Sequence, residues 1–242
     1  MVHIFFDDGG VLNDNSKCGP KWWKHQGEWF IPRYGGTLEG WIRANIKALK
    51  LEMEHHDSMF LGARKPYTNY QDFRKEMDRE WLITMFEEVG LEIPANVLEV
   101  VEESINYVAY RATAPYEDII GVISYLYEKY GTLHTASNED SIILNLYLSG
   151  MGVREKFRHL FGTDLVNIQK ISPIYYERVF EITGFNPEEC IFIDDKPKLI
   201  GIIRDLGSKA ILTDFHKQGS DYTYTATTAN EIPDLIKLIV ED

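Results

Sequence analysis

Apolar residues in this chain occur either in short continuous runs or at helical spacing, and glycines separate the two patterns. The first run, residues 2–6, is rich in β-branched and aromatic side chains and is followed by Gly9 and Gly10. A run of this kind predicts a buried strand that ends in a tight turn. Three further runs predict strands in the same way, at residues 132–136, 190–193 and 210–213.

Apolar residues at helical spacing fill the stretches between these runs. One predicted helix begins near Ile119 and ends at Gly131. A second begins near Asn138, with Glu139 and Asp140 expected in its first turn, where the helix dipole favours acids. Three more helices are predicted at residues 173–183, 197–206 and 232–240, and a loop at about residues 151–171. Strands that alternate with helices predict a parallel sheet with right-handed crossovers.

Residues 13–112 follow a different pattern, in which no convincing strand occurs. Amphipathic helices are expected at about residues 38–50, 73–89 and 97–108. The sequence therefore predicts an α/β fold with two parts. Residues 1–12 and 113–242 form a Rossmann-like core, a parallel sheet with helices on both faces, and residues 13–112 form an inserted all-helical cap.

Composition and charge narrow the class of partner. The formal net charge is −13 and no lysine- or arginine-rich run occurs, which argues against nucleic acid or an anionic membrane and leaves a small molecule as the expected partner. Cys18, expected in a polar loop, and Cys190, in an apolar run, form no metal-binding pattern, so a reducing, cytoplasmic setting is expected. The first apolar run is broken by Asp7 and Asp8 and does not predict a signal peptide. A monomer or a homodimer is expected.

Polar residues stand at the predicted carboxyl ends of the strands, where α/β sheets bind their ligands. Asp7 and Asp8 follow the first strand, and Ser137 and Asn138 follow the second. Lys170 precedes a predicted helix. A further strand ends in the paired acids Asp194 and Asp195. Each of these is a weak signal alone, but together and in this order they predict one catalytic site.

The chemistry of phosphoryl transfer accounts for this set of residues. A carboxylate can attack phosphorus and form an acyl-phosphate intermediate. The negatively charged substrate calls for Mg²⁺, which prefers oxygen ligands such as Asp7 and Asp195. Lys170 and the Ser137 hydroxyl are expected to hold the remaining phosphoryl oxygens and to offset charge in the transition state.

In this pattern the chain resembles the haloacid dehalogenase-like hydrolases, in the subgroup with an inserted helical cap and paired acids in the fourth motif. The resemblance rests on the opening motif around Asp7, on the stretch from Phe185 to Asp195, and on its spacing from Lys170. It implies that Asp7 is the nucleophile and that the Gly9 carbonyl and Asp195 bind Mg²⁺, with Asp194 assisting. It also implies a phosphate site formed by Ser137, Asn138 and Lys170.

One departure from that family pattern concerns Gly9. Phosphatases of the family carry a second aspartate at this position, which serves as general acid and base, and such help is worth roughly 10²–10⁴-fold in rate. Asp8 is expected to point away from the site, since side chains alternate along a strand. Leu199 is a second departure, because the family often has asparagine there.

Three functions remain open on these grounds. The first is a magnesium-dependent phosphatase acting on a small phosphorylated metabolite, slowed by the lack of an acid at Gly9. The second is carbon-centred hydrolysis, as in the family's dehalogenases and phosphonatases, the latter requiring a cap lysine such as Lys21, Lys24 or Lys47. The third is a binding protein on a weakened enzyme fold. We expect the first.

Aromatic and basic residues open the predicted cap, among them Trp22, Trp23 and Arg33. They are interpreted either as a wall that selects the substrate or as ordinary cap core. His134 is expected to be a hydrogen-bonded core residue. His55 and His56 are not expected to bind a metal, because adjacent side chains on a helix diverge.

Overall fold

The computed structural model describes residues 2–60 and 68–241, with residues 52–60 described by their backbone only. The side chains of His55 and His56 therefore lie outside the described residues. The strands are β1 His3–Phe6, β2 Leu133–Ala136, β3 Phe157–Phe161, β4 Cys190–Asp194, β5 Lys209–Thr213 and β6 Thr225–Ala226. The helices are α1 Asn15–Tyr34, α2 Leu38–Phe60, α3 Tyr70–Val89, α4 Val97–Ala109, α5 Ile119–Tyr130, α6 Ser141–Gly150, α7 Thr163–Val166, α8 Pro173–Thr183, α9 Pro197–Asp205 and α10 Ile232–Glu241. Among the described residues, no helix is both long enough and apolar enough to cross a bilayer.

The six strands form one parallel sheet in the order β3-β2-β1-β4-β5-β6. The predicted Rossmann-like α/β class is confirmed. The chain proceeds from β1 towards one edge through β2 and β3, and then returns to the other side of β1 with β4. Strand order thus reverses beside β1, and such a reversal opens a crevice at the carboxyl ends of the strands. Asp7, which follows β1, lies at that point.

Alternating side chains bury both faces of the sheet. Ile4 and Phe6 of β1 pack in one apolar cluster with residues of α5, α6 and α10. Phe5, between them, faces the opposite cluster with residues of α8 and α9. Burial on both faces explains why the central strands are continuous apolar runs rather than alternating ones.

Two strands of the sheet are absent from the sequence prediction. Residues 157–161 were expected to lie in a loop, but they form the edge strand β3. Its middle positions are Arg158, which is exposed, and His159, so the apolar run that signals a central strand is interrupted. The two-residue strand β6 is too short for any periodicity to reveal.

The helix α1 was also not predicted. It contains Pro20 and Pro32 as well as Gly27, which favour turns and disguise a helical pattern. Asp14 caps it, accepting a hydrogen bond from the backbone N–H of Ser16 at 3.0 Å. The expectation that Cys18 lies in a polar loop is wrong, since it is buried within this helix.

The four helices α1–α4 follow β1 and share an apolar core of their own. Its largest buried side chains are Trp29, Phe30, Trp41 and Phe86, which stack and meet edge to face. The segment is helical, as the sequence predicted. The division of the chain at residues 12 and 113 stays a prediction.

The start of α6 differs from the expectation. Asp140 is the N-cap residue and Glu139 precedes it, so neither acid lies in the first turn. Asp140 is instead used in contacts with α3. Its Oδ1 accepts a hydrogen bond from the Tyr70 hydroxyl at 2.6 Å, and its Oδ2 lies 3.7 Å from Nε of Arg74.

His134 is a core residue, as expected, but it is not hydrogen-bonded to any described residue. It is 1% exposed, and neither ring nitrogen has a partner among the described residues. Aromatic rings surround it instead, with the Phe5 ring centroid at 4.8 Å and the stacked His159 ring at 5.1 Å. It lies in the middle of the parallel strand β2, where the side chains of the neighbouring strands place rings against it.

Candidate active site

Asp7 lies directly beyond β1, where its backbone N–H donates to the carbonyl of Ile193 at 2.9 Å. Two donors fix its carboxylate through Oδ1. The Lys170 ammonium lies at 2.7 Å and the backbone N–H of Asp8 at 2.8 Å. The carboxylate is therefore held in one orientation at the carboxyl edge of the sheet.

Lys170 joins the ends of three strands. Its ammonium lies 2.8 Å from Oδ2 of Asp194 as well as 2.7 Å from Asp7, and it donates to the Ala136 carbonyl at 3.1 Å. The side chain is only 2% exposed, which is rare for lysine unless its charge is paired. Asn138 positions it, since its Oδ1 accepts from the Lys170 backbone N–H at 2.7 Å.

Burial and charge set the ionisation of this group of residues. Burial raises the pKa of Asp7 to about 6, against the opposing attraction of Lys170. Burial alone would lower the pKa of Lys170, but the carboxylates of Asp7 and Asp194 outweigh it and raise that pKa. The contact of 2.7 Å between the two groups favours the ionised carboxylate of Asp7 and the charged ammonium of Lys170. An ionised carboxylate is the form that can act as a nucleophile.

A third carboxylate completes a cluster that suits a metal ion. Ligand oxygens of Asp7, Asp194 and Asp195 all lie within 4.8 Å of one another. Oδ1 of Asp195 is buried without a hydrogen-bond partner among the described residues, although Lys196 binds the other oxygen at 2.6 Å. An unsatisfied buried carboxylate oxygen is costly. The hard oxygen donors of this cluster fit Mg²⁺, which would satisfy that atom.

Gly10 allows Asp195 to approach the turn after β1. Its φ is +87°, and a Cβ atom there would lie 2.5 Å from Oδ2 of Asp195. Both the left-handed backbone and the close approach therefore require glycine. The Gly10 carbonyl accepts from the Thr213 hydroxyl at 3.0 Å, which ties the turn to the end of β5.

Gly9, in contrast, does not have a positive φ. A Cβ atom at this position would lie 2.6 Å from Nδ2 and 2.8 Å from Oδ1 of Asn15. The amide of Asn15, the first residue of α1, thus occupies the space beside the position where the family's phosphatases carry their second aspartate. The role of the Gly9 carbonyl as a metal ligand stays a prediction.

Asp8 is directed into a buried turn. Its Oδ1 accepts from Nδ2 of Asn13 at 2.7 Å, and its carbonyl accepts backbone hydrogen bonds from the turn. Burial raises the pKa of Asp8 to about 8. This acid is part of the turn structure, and Asn13 rather than the substrate crevice is the partner of its carboxyl group.

Ser137 and Asn138 follow β2 at the same edge of the sheet. The Ser137 hydroxyl accepts from the backbone N–H of Glu139 at 3.2 Å, and Ser137 is buried. Asn138 is exposed, and its side chain binds the backbone of Lys170. The structure therefore places both beside Lys170, and their predicted roles in binding phosphate stay predictions.

Three residues of the candidate site were not predicted from the sequence. The buried hydroxyl of Tyr175 donates to the carbonyls of Ser137 at 3.1 Å and Phe161 at 3.0 Å, fixing the ends of β2 and β3. Thr213 and Asn15 are the others. Thr213 ends β5 at the same edge as Asp7, so its position could have been a signal. Nothing local to Asn15 indicates that it faces Gly9.

Comparisons with known proteins identify the family of this chain and structures that share its fold. A sequence profile described as haloacid dehalogenase-like hydrolase matches residues 1–207. No curated protein sequence matches the chain. Among solved structures, a HAD-hydrolase from Bacillus subtilis bound to magnesium is 16% identical, with a TM-score of 0.65 over 97% of this chain and 98% of that one.

Two dehalogenase structures are similar to the same extent. The 2-haloacid dehalogenase from Pseudomonas syringae pv. Tomato is 14% identical, with a TM-score of 0.67 over 98% of this chain and 99% of that one. An L-2-haloacid dehalogenase from Xanthobacter autotrophicus, with chloropropionic acid covalently bound, is 17% identical, with a TM-score of 0.60 over 98% and 99%. At these identities the likeness shows a shared fold.

Proposed function

The chain belongs to the haloacid dehalogenase-like hydrolases, and on that premise we propose that it is a magnesium-dependent phosphatase of small phosphorylated metabolites with Asp7 as its nucleophile. The observation that carries this proposal is the carboxylate cluster. Asp7, Asp194 and Asp195 offer oxygens within 4.8 Å of one another, and one oxygen of Asp195 is buried without a partner among the described residues. Displacement of a halide from carbon needs no such cluster. Transfer of a phosphoryl group requires a cation that offsets the negative charge of the phosphoryl oxygens, and the cluster would hold that cation.

In the first step the Asp7 carboxylate attacks phosphorus, the bond to the leaving oxygen breaks, and an aspartyl-phosphate forms. Lys170 holds Asp7 in place through Oδ1 and offsets part of the negative charge that develops. Asp194 keeps the Lys170 ammonium between the two carboxylates. In the second step water attacks phosphorus, which releases inorganic phosphate and restores Asp7.

Asp7, Asp194, Asp195 and the Gly9 carbonyl would hold a magnesium ion, with support from the Gly10 turn. When bound, the ion supplies electrostatic stabilisation of the phosphoryl oxygens. The net charge of the three carboxylates and Lys170 is otherwise negative, which would repel a phosphate ester.

A second candidate is carbon-centred hydrolysis, which the absence of a carboxyl group at Gly9 favours. Two structures of similar fold are named as haloacid dehalogenases, and an aspartate can also displace a halide from carbon. The phosphonatase variant has less support. The three cap lysines named for such chemistry are engaged elsewhere. Lys21 donates to the Thr113 carbonyl at 2.7 Å, Lys24 lies 3.5 Å from Glu28, and Lys47 contacts Glu88 at 2.5 Å.

Release of inorganic phosphate from a panel of phosphate esters, with Mg²⁺ and with a chelator, tests the proposal. 2-Chloropropionate should be included, with halide release as the readout. We expect phosphate release that depends on magnesium and is abolished by Asp7→Asn. Asp8→Asn is the matched control. Its asparagine can still accept a hydrogen bond from Asn13, so this variant should retain most of the activity.

Trapping of the intermediate tests the nucleophile directly. After an acid quench, the phosphoryl group should be found on the peptide that contains Asp7. Halide release without phosphate release from any ester would replace this proposal with the second candidate.

A further inference from the structure

A cavity of about 410 Å³ lies between the helices of the inserted segment and α6 of the core. Four aromatic rings line it, those of Trp22 and Trp23 from α1, Trp81 from α3 and Tyr147 from α6. Trp22 and Tyr147 meet edge to face with centroids 6.2 Å apart. The volume falls in the range of small-molecule sites, and such a wall suits a flat apolar ring.

Asn15 lies between this cavity and the carboxylate cluster of the candidate active site. It lines the aromatic cavity and also a second cavity of about 330 Å³, in whose wall Asp195 and Gly10 lie. Its amide stands next to the missing side chain of Gly9. A substrate with its phosphoryl group at Asp7 and Asp195 would therefore direct its leaving group past Asn15 into the aromatic cavity.

The charged residues in the cavity wall are Arg74, Asp78 and Glu139, and their formal net charge is not positive. Arg74 pairs with Asp78 at 2.9 Å and also approaches Asp140. Glu139 accepts from the backbone N–H of Asp140 at 3.1 Å. The wall therefore offers no excess of positive charge, and it suits a leaving group without a second anionic group.

One polar side chain in the wall has an unused donor. Asn45 is 3% exposed, and its Nδ2 donates to no described residue. A buried amide donor without an acceptor is costly unless a ligand supplies one. A ring that carries a hydrogen-bond acceptor would satisfy Asn45.

The described atoms nearest to the missing side chain at position 9 all belong to Asn15, and they offer no proton to a leaving oxygen there. Gly9 has no side chain, and the Asn15 amide can donate a hydrogen bond but cannot give up a proton at neutral pH. The carboxylates of Asp78 and Glu139 are engaged by Arg74 and by backbone. A leaving group that departs as a stabilised anion needs no proton, and an aryl oxide is such a group.

We propose that the substrates are phosphate monoesters of uncharged aromatic hydroxyl compounds, whose ring fills the tryptophan-lined cavity and whose oxygen departs beside Asn15. This inference rests on the proposed phosphatase function and specifies its substrate class. An O–P bond forms to Asp7 while the aryl O–P bond breaks. The aryl oxide leaves with the electron pair and takes its proton from water, and a second water then hydrolyses the aspartyl-phosphate.

The kinetic test compares kcat/KM for phenyl phosphate and 4-nitrophenyl phosphate with that for ethyl and propyl phosphate. Wild type should prefer the aryl esters by about 10²-fold or more, the scale of the missing acid catalysis. Trp81→Leu and Trp23→Leu should lower kcat/KM for the aryl esters about tenfold and leave the alkyl esters unchanged. Trp29→Phe, in the apolar core of the segment and outside the cavity wall, is the matched control and should change neither.

The binding test uses calorimetry with 4-nitrophenol, phenol and cyclohexanol, and requires no catalysis. We expect 4-nitrophenol to bind and cyclohexanol not to bind. Trp81→Leu should weaken 4-nitrophenol binding about tenfold. Asn45→Leu should weaken 4-nitrophenol, which carries acceptors on its ring, more than phenol.

The outcomes separate this inference from the proposed function. Equal tryptophan effects on aryl and alkyl esters, or no binding of 4-nitrophenol to the wild type, would overturn the substrate class while the phosphatase function stands. No phosphate release from any ester would overturn the phosphatase function itself. Trp81 packs against the apolar core of α1–α4, whereas Trp23 is in none of the core clusters, so Trp23→Leu gives the result if Trp81→Leu does not fold.

Discussion

The Lys170 ammonium lies 2.7 Å from Oδ1 of Asp7, and both side chains are withdrawn from solvent. The pair can be buried because Asp194 adds a second carboxylate at 2.8 Å and the Ala136 carbonyl accepts a further hydrogen bond. A buried lysine shared in this way holds the ends of three strands together at the candidate site.

Removing that ammonium should damage both stability and activity. Lys170→Met leaves two buried carboxylates without their cation, so the free energy of unfolding should fall by about 3–5 kcal/mol. Phosphate release should fall by about 10²-fold or more. Urea unfolding and steady-state kinetics measure the two effects. Lys196→Met removes the exposed partner of Asp195 and should cost stability only about 0–1 kcal/mol. Equal losses in both variants would contradict the structural role given to Lys170.

Magnesium affinity should depend on Asp195 and on Gly10, whose lack of a side chain allows Asp195 to approach the turn after β1. Asp195→Asn should weaken binding about tenfold or more in a calorimetric titration, and Gly10→Ala should do so too, because its methyl group would lie 2.5 Å from the carboxylate. Asp205→Asn, an exposed acid at the end of α9, should bind Mg²⁺ like the wild type. Affinity unchanged in Asp195→Asn would remove this residue from the metal site.

A carboxyl group restored at position 9 should supply the missing acid. Gly9 has no positive φ, and the atoms nearest to a Cβ there belong to the exposed end of Asn15, which can move aside. Gly9→Asp should therefore fold, and it should raise kcat/KM for alkyl phosphates more than for aryl phosphates, whose leaving groups need no proton. The double variant Gly9→Asp with Asn15→Ser removes the close contact and should show the same gain. A folded, magnesium-binding variant with no gain on any ester would argue against a phosphatase.

Acid should destabilise the fold through His134. Burial lowers the pKa of His134 to about 3 from an ordinary value of 6.5, so between these values the unfolded chain binds a proton that the folded chain does not. The free energy of unfolding should therefore fall as the pH drops from about 6.5 to about 3, by up to about 1.4 kcal/mol per pH unit. His134→Leu should flatten this dependence in urea unfolding at several pH values. His216→Leu, at an exposed position, should leave the slope as it is, and identical slopes in all three proteins would refute the assignment.

Local sequence patterns were sufficient to predict which edge of the sheet carries the candidate site. The runs ending at Asp7 and Asp194, the Ser172–Pro173 helix start and the glycines that end helices are local signals, since each depends on residues adjacent in the chain. Strands joined by helices must then run in parallel, and parallel strands bring their carboxyl ends to one edge. The meeting of Asp7, Lys170 and Asp194 followed from local pattern and topology.

Tertiary structure alone decided what surrounds those acids. Asn15 faces Gly9 because α1 begins where it does, and that helix was hidden by its own prolines and glycines. The edge strand β3 forms because β2 supplies its hydrogen-bond partners, although Arg158 and His159 break its apolar pattern. His134 has no described hydrogen-bond partner because neighbouring strands present only rings to it. These features depend on contacts between residues that are distant in the chain, and no periodicity in the sequence encodes such contacts.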